Sequence, residues 1–189
     1  ARYNVEAAGM IERITLAQVD AKRMGYDRGA FDLVMSNSII HHIPDPVVCL
    51  QEMVRVTAED GLLFIRDLMR PQDAETLEAL VLTYTGKESE YSQQLFRDSL
   101  HAALSLDEIR DLVASLGFDP NSVQATSDRH WTWAAVNLED EADAGFIRVY
   151  GRYMSDGVDA SNAPASAATP PVFVVDDVLA DTLELAGNP

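Results

Sequence analysis

Cysteine is almost missing from this chain, and the single Cys49 excludes an internal disulfide. It falls inside a predicted helix and reads as a small packed hydrophobe. Long apolar runs are missing as well: none approaches the ~20 residues needed to cross a bilayer. Nor is there a leader of basic, then apolar, then small residues. A soluble, cytoplasmic protein with no membrane partner is the expectation. Basic residues are scarce, 14 Lys and Arg against 31 Asp and Glu for a net charge of -17. That balance disfavours a nucleic-acid backbone as partner. With four His and one Cys, and no second group at ligand spacing beside the one His pair, no metal site is expected.

What is present is enough apolar material, 47% of 189 residues, for a globular core. The charge is uneven: residues 1–70 hold 8 basic and 10 acidic side chains, residues 136–189 hold 2 and 10. The acidity is therefore concentrated towards the C-terminus. The most informative stretch is 31–46, FDLVMSNSIIHHIPDP. Its short apolar start reads as a fully buried strand, Ser36, Asn37 and Ser38 as a polar corner, and Asp45-Pro46 as a capped helix start. A parallel sheet carries its chemistry at the C-terminal ends of its strands, so this corner is the candidate site.

Four pieces in order, 14–21 (ITLAQVDA), 31–46, 52–56 (EMVRV) and 60–67 (DGLLFIRD), resemble the second half of the nucleotide-binding core of class I S-adenosylmethionine-dependent methyltransferases. The likeness extends more loosely to residue 136, about two thirds of the chain. It implies an α/β fold: a partial Rossmann-like sheet, mostly parallel, with an antiparallel C-terminal strand and helices on both faces. It implies S-adenosylmethionine as cofactor, with Asp20 beside the adenine amino group, Ala21 against the ring, Ser36, Asn37 and Ser38 near the methionine part, and His42 lining the pocket. Local reading offers alternatives: Asp20 can cap the next turn, and Ser and Asn favour turns in any case. His41 or His42 could act as general base, since a neutral imidazole can take the proton of a nucleophile being methylated; either could equally be packing. A dehydrogenase reading finds no motif. The implied activity is methyl transfer to an O, N or C nucleophile on a small molecule. The alternative is a non-catalytic, methyltransferase-like interaction module, which predicts an exposed apolar patch where the first two family strands would lie.

The family's glycine-rich loop is not in the sequence, so the chain is expected to be an N-terminally truncated fragment that binds cofactor poorly by itself. With those two strands absent, either the strand at 14–19 shifts to pair with 31–35, or a strand at Val172–Val175 enters the gap. Between these lie a helix after Pro46 with Val47, Leu50 and Val54 buried, and a turn at 57–61. A lid-like helical segment at 72–101 follows, its first helix burying Leu77, Leu80, Val81 and Tyr84. A capping box at Ser105 and Glu108 opens the next helix, and Trp131 and Trp133 share a core-facing side of a strand. Four segments result: a core at 1–138, a helical extension at 139–154 holding Phe146, Val149, Tyr150 and Tyr153, a flexible linker at 155–171, and a strand-helix tail at 172–189.

Overall fold

The computed structural model describes residues 1–137 and the strand Val172–Val175. Two compact units emerge, residues 1–25 with 150–189, and residues 26–149. The expected helices at 139–154 and after residue 177, and the linker at 155–171, lie outside the described residues.

The first unit holds α1 (Arg2–Ala7) and β1 (Thr15–Gln18). A chain reversal at Gly9, φ +66°, follows α1, a conformation glycine adopts without cost. β1 pairs in parallel with the C-terminal strand Val172–Val175, from Thr15 opposite Val172 to Gln18 opposite Val175. Of the two expected pairings for a strand left without family neighbours, this is the C-terminal one, and the two strands form a sheet of their own.

The second unit is built on a four-stranded sheet. β2 (Phe31–Asn37) runs parallel to β3 (Thr57–Leu68), and β3 runs antiparallel to β5 (His130–Val136), which pairs antiparallel with β4 (Val123–Ser127). The order β2-β3-β5-β4 makes β2 an edge. Alternation sorts the strands into two faces. One carries Leu63, Ile65, Asp67, Trp131 and Trp133, all 1% exposed or less. The other leaves Leu33, Met35 and Leu62 at 50%, 59% and 41% exposure. The expected full burial of the 31–35 strand is therefore not realised. Its hydrophobic composition suits a strand covered on both sides, but among the described residues it has one neighbour and one uncovered face.

α2 (Pro46–Val56) connects β2 to β3. Pro46 opens it with Asp45 at the N-cap position, although the Asp45 side chain makes no capping hydrogen bond. The helix buries Cys49, Leu50, Met53 and Val56, a stripe rotated from the expected Val47, Leu50 and Val54. After residue 57 the chain loops out at 58–61 and re-enters the sheet with Leu62 opposite Leu33. Gly61 is required there, because a Cβ would stand 2.8 Å from the Ala58 carbonyl oxygen.

The expected helical segment is an antiparallel pair, α3 (Ala74–Thr85) and α4 (Glu90–Ala102). Leu68, Leu77, Leu80, Val81, Leu100 and Ala103 form its core, with Phe96 packed against them. Tyr84 is not part of that core. It is 42% exposed, donates to the Asp128 carboxylate at 2.7 Å and lies under the Arg129 guanidinium, tying α3 to the β4–β5 turn. α5 (Leu106–Ser115) starts with the expected capping box between Ser105 and Glu108 and buries Ile109 and Val113.

Candidate active site

The C-terminal ends of the parallel strands β2 and β3 lie side by side, with Asn37 opposite Arg66. At the end of β2 the chain turns at Ser38, whose φ of +58° is unusual for a residue with a side chain. The Ser38 amide donates to the Arg66 carbonyl at 2.9 Å. A single 3-10 turn, Ile40–His42, follows, and its geometry is dictated from the neighbouring strand.

The controlling group is Asp67, one residue before the end of β3, with its side chain 1% exposed. Its carboxylate accepts from the Ile40 amide at 2.5 Å, the Leu68 amide at 2.6 Å and His41 Nδ1 at 2.5 Å. A carboxylate bonded to two amides has only acceptor capacity to offer, so the ring must donate from Nδ1. That puts a proton on His41 Nδ1 and leaves Nε2 as the nitrogen through which the ring can exchange one. Sequence reasoning placed Asp67 at the end of the matching strand and gave it no role. The available signal was an acidic residue closing an apolar run on the strand expected beside the His-His strand.

His42 follows with its ring centroid 4.0 Å from that of His41. Partial desolvation, and then His41, hold its pKa below the ordinary imidazole value, while Asp67 opposes them. A neutral ring at pH 7 is the consequence. Both imidazoles line a cavity of about 360 Å³, near the small end of the range for small-molecule sites. Its remaining wall is apolar, including Ile43, Pro44 and Pro46 beyond the turn, with Ala102 and Leu104 from the end of α4 and after. Leu104 is held in place: its carbonyl accepts from the Arg70 amide at 3.0 Å, and Arg70 pairs with Glu108 at the start of α5.

His130 is a third histidine, one that sequence reasoning did not single out. It sits at the start of β5 opposite Leu68, 8% exposed, with Nδ1 2.8 Å from the Ser127 hydroxyl. Burial, then the charges of Arg66 and Arg129, lower its pKa to about 4. It is a neutral structural imidazole at physiological pH. Among the described residues, no group of three or more His, Cys, Asp or Glu is arranged to hold a metal ion.

Known proteins resemble this chain over much of its length. Residues 1–65 match the family described as Methyltransferase domain. The 27-O-demethylrifamycin SV methyltransferase of Amycolatopsis mediterranei is 26% identical over 135 residues, 70% of this chain and 46% of that protein. The demethylmenaquinone methyltransferase of a Parafrankia strain is 27% identical over 146 residues, 77% of this chain and 50% of that one. Among solved structures, the plantazolicin methyltransferase BpumL, with a desmethyl analogue and SAH, shares the fold with a TM-score of 0.50 at 14% identity, covering 64% of this chain and 58% of that one. The chain is similar to S-adenosylmethionine-dependent methyltransferases. It spans about half the length of the curated relatives it matches.

The methyltransferase cofactor carries an adenine, a sulfonium and an amino-acid end, and the residues that the resemblance assigned to it can be taken unit by unit. In the second unit, Ser36 presents a buried hydroxyl with no hydrogen-bond partner, Asn37 is exposed, and Ser38 turns the backbone. A polar corner with spare capacity suits a zwitterionic end. In the first unit, Asp20 accepts from the Lys22 amide at 2.9 Å and the Lys22 ammonium at 2.8 Å, the turn-capping arrangement. Those bonds hold its carboxyl below the usual range, so it stays an anion. With 54% of the side chain exposed, it retains room to accept from an exocyclic amine. Ala21 is 2% exposed and offers little surface to a ring.

Proposed function

We propose that the protein carrying this chain transfers the methyl group of S-adenosylmethionine to a nucleophile on a small molecule, with His41 as the proton acceptor and Asp67 as the group that positions it. When bound, S-adenosylmethionine supplies a methyl carbon on a sulfonium, a leaving group that needs no further activation. The work left to this chain is alignment and removal of the acceptor's proton. Ser36, Asn37 and Ser38 would hold the amino-acid end. His41, whose Nδ1 donates to Asp67, is one of the residues that line the cavity. His42, neutral at pH 7, shares the cavity wall. The observation that carries the reading is the His41–Asp67 contact, with the two side chains 4% and 1% exposed and His41 among the residues that line the cavity. Relatives named as methyltransferases of rifamycin, menaquinone and ajmaline substrates support a small-molecule acceptor.

The test is turnover: the complete protein with S-adenosylmethionine and a panel of hydroxyl, amine and carbon acids, followed by S-adenosylhomocysteine release. Acceptor-dependent release supports the reading; none across the panel, with cofactor binding demonstrated, refutes it. A second reading, a non-catalytic module, draws on the exposed Leu33, Met35 and Leu62. An apolar sheet face of this kind is a feature of interaction surfaces. It predicts self-association or partner binding that ends when Met35 is replaced by Lys, and no cofactor binding by the complete protein.

A further inference from the structure

Six arginines among the described residues are half-buried, and five of them are held. Arg55 pairs with Glu52, Arg70 with Glu108, Arg97 with Glu78 and Arg129 with Asp128, while Arg110 donates to the Val123 carbonyl at 3.2 Å. Arg66 alone has neither a carboxylate nor a carbonyl partner among the described residues. Arginine is seldom withdrawn from water without one. Its surroundings suggest what completes it. Arg66 lies between Asn37 of β2 and Thr132 of β5, and Gln124 of β4 follows Thr132. Residues directly opposite each other in a sheet share a face, so these four form a polar row across the face that leaves Leu33 and Met35 exposed. The next row, Met35, Phe64 and Ala134, is apolar. Thr132 and Gln124 are engaged, the one with the Thr126 hydroxyl and the other with the Asn121 carbonyl. The neighbouring carboxylate, Asp67, is on the opposite face and accepts from two amides and His41. Arg66 and the exposed Asn37 are the donors left over.

We propose that Arg66 and Asn37 form a binding site for a carboxylate ligand whose apolar body lies along Met35 and Phe64. The planar guanidinium presents paired N–H donors that a carboxylate matches with both oxygens, and the amide of Asn37 adds another donor beside them. One guanidinium in a chain of net charge -17 suits a monoanion better than a phosphate dianion. Neither residue is among those that line the cavity of the two imidazoles, so the site stands on this row and not on the methyl-transfer reading. The row also carries its own reporter. His130 precedes Thr132 by two residues on the same face, and burial, then the Arg66 charge, hold its pKa low. An anion seated on Arg66 offsets that charge and should raise it.

Hexanoate, hexanamide and hexylammonium share one chain and differ in charge. Their binding to the complete protein is followed by NMR on the Arg66 Nε–H signal, assigned with Arg66→Gln. The expected result is that hexanoate binds about tenfold more tightly than hexanamide, weakens as salt rises, raises the titration midpoint of His130, and falls to the level of hexanamide in Arg66→Gln. Hexanamide or hexylammonium binding as tightly as hexanoate overturns the proposal. So does the absence of hexanoate binding, or undiminished binding in Arg66→Gln. S-adenosylhomocysteine and methylthioadenosine, which differ in the amino-acid end, supply the last arm. If Arg66→Gln weakens only the first, the carboxylate seated here is the cofactor's own and a site for a separate ligand is refuted; no change in either is the expected outcome. If Arg66→Gln is unfolded by circular dichroism, Arg66→Lys assigns the signal in its place, and the order of the three probes on the unaltered protein decides.

Discussion

Replacing Asp67 by Asn tests the site at its most constrained atom pair. The amide matches the carboxylate in shape but has one oxygen where three donors arrive. Oδ1 accepts from His41 Nδ1 and the Leu68 amide, and Oδ2 from the Ile40 amide. With the amide oxygen at the Oδ1 position, the new NH2 faces the Ile40 N–H, donor against donor. With it at the Oδ2 position, the NH2 faces the Leu68 N–H and forces His41 to the opposite tautomer. Either way one buried backbone donor loses its acceptor, which costs about 1–3 kcal/mol. The bonds that survive lose their charge assistance, and a further ~1 kcal/mol is reasonable for that. A total loss of about 3 kcal/mol follows, a large part of the 5–15 kcal/mol typical of a domain. Urea titration measures it, as a lower midpoint with an unchanged slope. ¹⁵N chemical shifts of the His41 ring report the tautomer in the same sample. A loss under about 1 kcal/mol with the ring still protonated at Nδ1 would refute the argument that this carboxylate sets the geometry of the turn.

His130 makes stability depend on pH with a defined sign. Its folded pKa of about 4 lies below the ordinary imidazole value of 6.5, so between these pH values the unfolded chain binds more protons and stability rises with pH. At roughly 1.4 kcal/mol per pH unit the ceiling is about 3 kcal/mol, reduced by residual solvent screening. His130→Asn, which keeps an acceptor for Ser127, should flatten that part of the stability curve between pH 4 and 6.5, and parallel curves would contradict the assignment. Ser105→Ala removes one half of the capping box and should cost about 1 kcal/mol in thermal or urea unfolding; no change would mean that α5 does not depend on its cap. Gly61→Ala drives a Cβ to 2.8 Å from the Ala58 oxygen and 2.9 Å from Thr57 Cγ2, and about 2 kcal/mol should be lost, in the range of overpacking. Wild-type stability in that variant would show that the 58–61 loop can relax.

Where the sequence was legible, a single local rule dominated. Ser105 and Glu108 at cap spacing announce α5, and Leu77, Leu80 and Val81 fall on the buried side of α3 as their period requires. Trp131 and Trp133, two apart on a strand, are both buried. Where two rules competed, it was less so. In α2, apolar residues fill positions 47–50, 53, 54 and 56, so almost any phase of a helical stripe can be drawn. The packing chose Cys49, Leu50, Met53 and Val56. Tyr84 continues the α3 stripe by one turn, but its hydroxyl has a partner at Asp128 outside the core, and a tyrosine can serve both environments. Burial of β2 was not readable, because the strand's own residues do not say how many neighbours it has. The site was half readable for the same reason. The His-His pair stands out locally, but its partner lies 26 residues away and is brought to it only by the parallel crossover of β2, α2 and β3.

The two amide bonds already give Asp67 a structural reason to be buried, since they anchor the Ile40–His42 turn and the end of β3. They do not explain the ring. A turn needing only those two bonds would be served as well with any apolar residue at 41, and a buried ionic pair is weak evidence of stabilisation, because desolvating it offsets most of the attraction. The ring contact adds a fixed tautomer and a counter-charge for an imidazolium, and both matter only to a ring that exchanges protons. His41→Phe separates the two roles. With Asp67 still bonded to both amides, the loss of stability should stay near 1–2 kcal/mol, clearly less than in Asp67→Asn. Methyl transfer by the complete protein should drop by about 10²–10⁴. If activity survives intact in a folded His41→Phe protein, the ring is packing and proton removal belongs to another group.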